Sequence, residues 1–159
     1  MRRVLRWGLA GAAVVIVGFG LIQLIPYRIS NPRVRTSIKW DSARTQQLVV
    51  AACYDCHSNE TKKPWYASVA PVSWWLKHHV DEGRARLNFS EWDPNHHRGG
   101  DQIARTIERG SMPPTYYTWF GLHSNAKLSA ADKAALVKGL QNSIGPAVGV
   151  PDFGGGGRR

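Results

Sequence analysis

Apolar positions along this chain change period several times, and each change marks an element. From Trp7 to Ile25 they run continuously: nineteen residues without a charge, with Gln23 as the one polar amide. That is close to the ~20 residues a helix needs to cross a bilayer. Beyond it, Pro26 and Pro32 set their own φ and disfavour helix in the residues before them, so residues 26–44 read as an extended tether. Arg44 to Ala52 regains helical spacing through Leu48, Val49 and Ala52. Ser58 to Pro64 reads as a loop. Pro71 to Arg86 reads as a helix, with Pro71 in its first turn and Val72, Trp75, Leu76, His79 and Val80 recurring at helical spacing. Asn88 to Gly100 reads as a loop.

Asp101 to Arg109 reads as a short helix with Ile103, Ala104 and Ile107 inward and Gly110 just past its end. Met112-Pro113-Pro114 is a rigid, non-helical turn. A last helix starts at Ser129, with Asp132 three residues on in a variant of the capping box, and stops near Gly145-Pro146. There is no convincing strand pair. The pattern predicts an all-α chain: a basic end (1–6), a transmembrane helix (7–25), a tether (26–44), a small helical domain (45–146) and a flexible glycine-rich tail (147–159).

The net charge of +10 changes this picture little, because of where it lies. Residues 1–40 hold seven basic and no acidic residues, while residues 41–159 carry a net charge of only +3. The excess sits beside the apolar run, where basic residues favour anionic headgroups. No basic patch interleaves with a nucleic-acid motif, so no nucleic-acid partner is expected. A cleaved signal peptide is the competing reading of the N-terminus. Such peptides have shorter apolar regions and a small-residue cleavage site, which Leu24-Ile25-Pro26-Tyr27-Arg28 does not offer. An uncleaved anchor in the lipid bilayer is expected.

The only two cysteines form Cys53-Tyr54-Asp55-Cys56-His57. C-x-x-C-H is the attachment signature of a c-type haem: two sulfurs for the haem vinyls and an imidazole for one axial position on iron. A thioredoxin-like couple expects a βαβ context that is missing. A closed zinc site needs four ligands, and there is no second cysteine pair. A plain disulfide is the third alternative. Because covalent haem attachment in bacteria occurs outside the cytoplasmic membrane, the domain is expected on the periplasmic face with Arg2, Arg3 and Arg6 in the cytoplasm. Basic residues flank the apolar run on both sides and do not decide the orientation by themselves.

Met112 lies 55 residues after His57 and is the only methionine besides Met1. Between a helix-ending glycine and two prolines it suits a distal iron ligand better than a core filler. His78, His79, His96, His97 and His123 are the other sixth-ligand candidates. Arg84, Arg86 and Arg98 are candidate partners for haem propionates. The many aromatics are expected mainly to pack, with one indole N–H available to a propionate.

A haem motif behind a short helix, a late methionine in a proline-containing loop and a final amphipathic helix resemble a class I cytochrome c. More closely, the stretches Cys53–Tyr66, Pro71–Trp92, Gly110–Ser129 and Leu24–Pro32 resemble the haem-binding domain family of membrane-anchored bacterial proteins. The resemblance covers most of the chain. It implies haem binding and a periplasm-facing domain, and it matches Met112-Pro113 and His123 to family positions. The expectation is one covalent haem c held by Cys53 and Cys56, with His57 proximal and Met112 distal. His123 is the alternative distal ligand. One-electron transfer with redox partner proteins at the membrane is the expected role, a carrier rather than an enzyme. The alternatives are a haem-based sensor or peroxidase-like protein with an open or displaceable sixth site, and a haem-binding module of a larger membrane complex.

Overall fold

A computed structural model of the protein describes residues 2–121 and 123–150. Six α-helices are present among them: α1 (Arg2–Ile22), α2 (Ala43–Ala52), α3 (Tyr54–His57), α4 (Val72–Arg86), α5 (Gly100–Glu108) and α6 (Ala130–Ile144). Short 3₁₀ turns at Trp65–Ser68, Phe89–Glu91, Thr115–Gly121 and Ser124–Ala126 join them. No strand occurs among the described residues; His97 and Val148 form an isolated antiparallel bridge. The all-helical fold class read from the periodicity is the observed one.

α1 is exposed from Arg3 to Leu21 and is long and apolar enough to cross a membrane. Helix forms from Arg2, earlier than the apolar run begins, and ends at Ile22, after which a turn leads to Pro26.

The core lies where α2, α5 and α6 meet. Leu48 and Val49, Ile103 and Ile107, and Leu136 and Leu140 close on one another around Phe89. Close approach requires a glycine where α2 crosses α6: a Cβ on Gly139 would overlap the Thr45 side chain. α6 begins as its sequence predicts. Ser129 Oγ accepts from the Asp132 amide at 3.1 Å, and the Asp132 carboxylate accepts from the Ser129 amide at 3.4 Å. Arg44 at the start of α2 pairs with the same carboxylate, which fastens the two helix starts together. At the end of α5, Gly110 takes a φ of 69° and its amide donates to the Ile107 carbonyl, the helix stop expected of it.

Two segments do more than the pattern suggested. Phe89 sits in a stretch read as loop, yet it is fully buried and its ring meets Trp40, Tyr54 and Trp92. The reason is local: a single 3₁₀ turn points Phe89 and Ser90 inward without any helical period to betray them. Of residues 26–44, read as an extended tether, 26–40 carry no regular secondary structure and α2 already begins at Ala43; the segment forms a strap laid on the domain. Ile29 is buried against Ala67 and Val80, the amides of Arg35 and Thr36 donate to the Ser90 carbonyl, and Ile38 and Trp40 pack on the core. Asn59 is buried beneath the strap and donates to the Arg33 carbonyl (3.2 Å) and the Glu91 carboxylate (3.0 Å). Of the predicted tail, residues 151–159 lie outside the described residues.

Candidate haem site

The C-x-x-C-H segment straddles a helix break. Cys53 ends α2, its amide donating to the Val49 carbonyl at 2.9 Å, and it also precedes α3. Tyr54 to His57 then make one turn, closed by the His57 amide on the Cys53 carbonyl at 2.9 Å. Both thiols are free. Burial pushes the Cys53 thiol up to about 12 and the Cys56 thiol up to about 11, with the neighbouring Asp55 charge adding to the second. A thioredoxin-like couple needs the opposite, a thiol lowered toward neutrality, so this environment opposes that reading. Among the described residues, no three His, Cys, Asp or Glu side chains are grouped to hold a metal ion, which argues against a closed zinc site.

The His57 ring is fixed from α4. Its Nδ1 lies 2.9 Å from the Gly83 carbonyl and 3.0 Å from the Leu87 carbonyl. A carbonyl only accepts, so Nδ1 carries the proton and Nε2 is left with its lone pair. Burial lowers the His57 pKa, which favours the neutral imidazole. A neutral ring whose second nitrogen is held by backbone acceptors is the form in which histidine serves as a metal ligand. Gly83 makes this possible sterically as well: a Cβ there would stand 2.5 Å from the Cys56 carbonyl oxygen.

Two adjoining cavities open beside this motif along α4. The smaller, about 140 Å³, is lined by Cys56, His57, His79, Arg86 and Met112, among others. The larger, about 640 Å³, is almost wholly apolar and runs from Cys56 past Val80, Leu76 and Trp75 to Val72 and Ile29. Asp55, Cys56, His79, Pro114, Tyr116 and Tyr117 border both. His57 and Met112, 55 residues apart in sequence, therefore share one cavity.

The loop that carries Met112 is tied back to the haem motif. Tyr117 Oη donates to the Asp55 carboxylate at 2.5 Å. His123 stacks on Tyr117 with centroids 4.2 Å apart; its Nδ1 lies 3.5 Å from the same carboxylate and its Nε2 3.2 Å from Tyr66 Oη. Burial, and then the bond to Asp55, raises the Tyr117 pKa, so the phenol stays a donor.

A family model described as a haem-binding domain matches residues 17–142. The chain belongs to this haem-binding domain family. No curated protein and no solved structure gave a match. The donor set suits the group the family is named for. A neutral imidazole with a free lone pair, the Cys56 thiol and a thioether border the smaller cavity, which adjoins an apolar one of the size small cofactors occupy; Cys53, one turn before Cys56, packs against the core and lines neither cavity.

The other predicted residues divide. His79 lines both cavities, its Nδ1 donating to the Trp75 carbonyl at 2.8 Å, which again leaves Nε2 unprotonated. His123 borders only the larger cavity, with both ring nitrogens beside other side chains, and is not brought alongside His57. His78, His96 and His97 border neither. Among the arginines, only Arg86 reaches the lining. Arg84 is a clamp: its guanidinium donates to the Ser58 and Ser30 carbonyls, Asn31 Oδ1 and Thr61 Oγ1, holding the strap to α4. Arg98 donates its Nε to the Arg86 carbonyl and lies outside the cleft. Among the described residues, the buried indole N–H without a partner is that of Trp74, which lines neither cavity.

Sequence reasoning passed over Gly83, Asp55 and Tyr117. A glycine inside a helical stripe costs about 1 kcal/mol against alanine, a sign that something approaches closely. Asp55 and Tyr117 carry no such sign, since their meeting is purely tertiary.

Proposed function

We propose that this haem-binding protein is a mono-haem c-type cytochrome, anchored in the bacterial cytoplasmic membrane through α1, that carries single electrons at the periplasmic face. The observation that supports this best is the His57 ring. Its Nδ1 is held by the backbone carbonyls of Gly83 in α4 and Leu87 just past its end, and it shares a cavity with Cys56 and Met112.

In this reading Cys53 and Cys56 hold one haem as thioethers. His57 and Met112 would bind its iron, and Arg86, on the lining of the same cavity, would pair with a propionate. The haem, when bound, supplies the one-electron Fe(III)/Fe(II) couple. The chain does the rest. The Gly83 and Leu87 carbonyls keep the imidazole oriented and neutral. Leu76, Val80 and Tyr116 exclude water from the cleft. Asp55, through Tyr117, holds the Met112 loop in place. A thioether in place of a second imidazole raises the potential, which suits a carrier.

The test is an absorption spectrum of the purified protein, oxidised and reduced, beside a denaturing gel stained for haem. Expected are a c-type spectrum and stain that survives denaturation. Cys53→Ala or Cys56→Ala should weaken the stain and the double substitution abolish it. Persistent staining of the double variant would refute covalent attachment.

A further inference from the structure

We infer that the haem-binding domain lies against the bilayer, with the start of α4 and the Trp65 turn set into the membrane interface. This rests on the reading of α1 as a membrane anchor. The strap after α1 leaves no slack. Gln23, one residue beyond α1, holds both backbone groups of Ala70: its Oε1 accepts from the Ala70 amide at 2.9 Å and its Nε2 donates to the Ala70 carbonyl at 3.1 Å. Tyr27 then lies under Lys77 Nζ (4.8 Å from the ring centroid), Ile29 packs on Val80, and the Ser30 carbonyl accepts from Arg84. Chain and helix thus run in the same direction, so α4 begins at the level where the span ends and leads away from it.

Distances place specific side chains at that level. The interfacial layer on each side of a bilayer is roughly 5–8 Å deep. Val72 is two residues from Ala70, at most about 7 Å of chain. Trp75 is one turn further, about 4.5 Å along the helix. Trp65 is five residues before Ala70, roughly 10 Å through a 3₁₀ turn. These are large apolar side chains left to solvent by the fold: Trp65 is 80% exposed, Val72 44% and Trp75 48%. Exposed Lys62 and Lys63 flank Trp65. Tryptophan settles at the headgroup level and lysine pairs with anionic lipid, so one surface answers both the apolar rim and the charge beside it. Ile29 and Val72, near that level, and Cys56, further from it, all line the larger cavity.

The full-length protein reconstituted in nanodiscs of anionic lipid, with and without bromine on the acyl chains, tests this through tryptophan emission. Trp7, within α1, is expected to be quenched in any case. Beyond that share, Trp65→Phe and Trp75→Phe should each remove part of the bromine-dependent quenching, and Trp92→Phe, a core position, should remove none. Trp65 makes no core contact and its change does not threaten folding; the Trp75 ring also meets His79 and Tyr116 on the larger cavity, so the absorption spectrum of Trp75→Phe is recorded beside its emission and Trp65→Phe is the deciding variant. Membrane-bound protein whose bromine-dependent quenching disappears with Trp7→Phe alone would overturn the docking and leave the anchor standing. Protein that does not sediment with membranes before reconstitution would overturn both.

Discussion

Asp55 stands between the two cysteines and gathers groups from three other places in the chain: the Tyr117 hydroxyl, the His123 ring and the Lys62 amide. It is the residue through which the proximal and distal sides of the site are joined. Tyr117→Phe keeps the ring on His123 and deletes only the hydroxyl, a bond to a charged acceptor worth about 1.5–3 kcal/mol. The expected result is haem still covalently attached, a weaker band near ~695 nm (the general marker of a thioether on ferric iron), and faster carbon monoxide binding to the ferrous form. An unchanged band would show that the Met112 loop does not depend on this bond. Met112→Ala should act more strongly. The haem stays attached and carbon monoxide binds. The potential falls, because water or the His79 imidazole, the other ring nitrogen left unprotonated on the same cavity, favours ferric iron. A hundredfold change in the ferric-to-ferrous binding ratio corresponds to about 120 mV for a one-electron couple. Redox titration measures it. Retention of the wild-type potential would remove Met112 from the iron, and a simultaneous loss in His79→Ala would put that ring there. Cys53, Cys56, His57 and Met112 stood out as candidates in the sequence because their chemistry is rare and their spacing carries it. Asp55 could not, since an aspartate next to a cysteine has many ordinary uses.

Among the elements, those with chemical punctuation were legible to within a residue or two. Ser129 and Asp132 mark the start of α6, Gly110 the end of α5, and Pro71 the residue before α4. What escaped was structure without period or punctuation: the Phe89 turn and the strap, whose burial depends on partners far away in sequence. The α6 start allows a direct check. Ser129→Ala removes the oxygen that accepts the Asp132 amide and should cost about 1 kcal/mol, read as a lower denaturant midpoint with an unchanged slope. The Asp132 pKa is lowered by the Ser129 bond first and by Arg44 second. A carboxylate with a depressed folded pKa contributes stability that is present above its unfolded value and lost as pH falls through the folded one. Wild type should therefore lose this cap contribution below the ordinary carboxylate range. Asp132→Asn should lack it at neutral pH and change less on acidification. Equal acid sensitivity of the two proteins would place the effect on other groups.

At the scale of the whole molecule, two devices hold a small domain in one piece: a core of α2, α5 and α6 around Phe89, and a cleft between α4 and the Met112 loop. They meet at the haem motif, where Cys53 and Tyr54 pack on the core and Cys56 faces the cleft. The helical class was readable because period alone distinguishes helix from strand; the division into core and cleft was not, because it depends on how the strap and α4 cross. This division predicts how the molecule behaves without its cofactor. The core has its own apolar contacts and capped helices, so α2, α5 and α6 should persist. The cleft walls, Leu76 and Val80 on α4 and Tyr116 on the Met112 loop, line a largely apolar space of about 640 Å³ and have behind them only the small cluster of Ile29, Ala67 and Val80. The Cys53→Ala/Cys56→Ala double variant, expressed in full length and kept in detergent, should therefore retain most of its far-ultraviolet helical signal. It should exchange the amides of residues 72–86 and 112–121 markedly faster than those of residues 45–52 and 130–144. A small domain that loses part of its interior sits closer to its stability limit. Uniform acceleration across all four segments would show one cooperative unit with no surviving core. Wild-type protection of residues 72–86 would show that the cleft is held by the polypeptide alone.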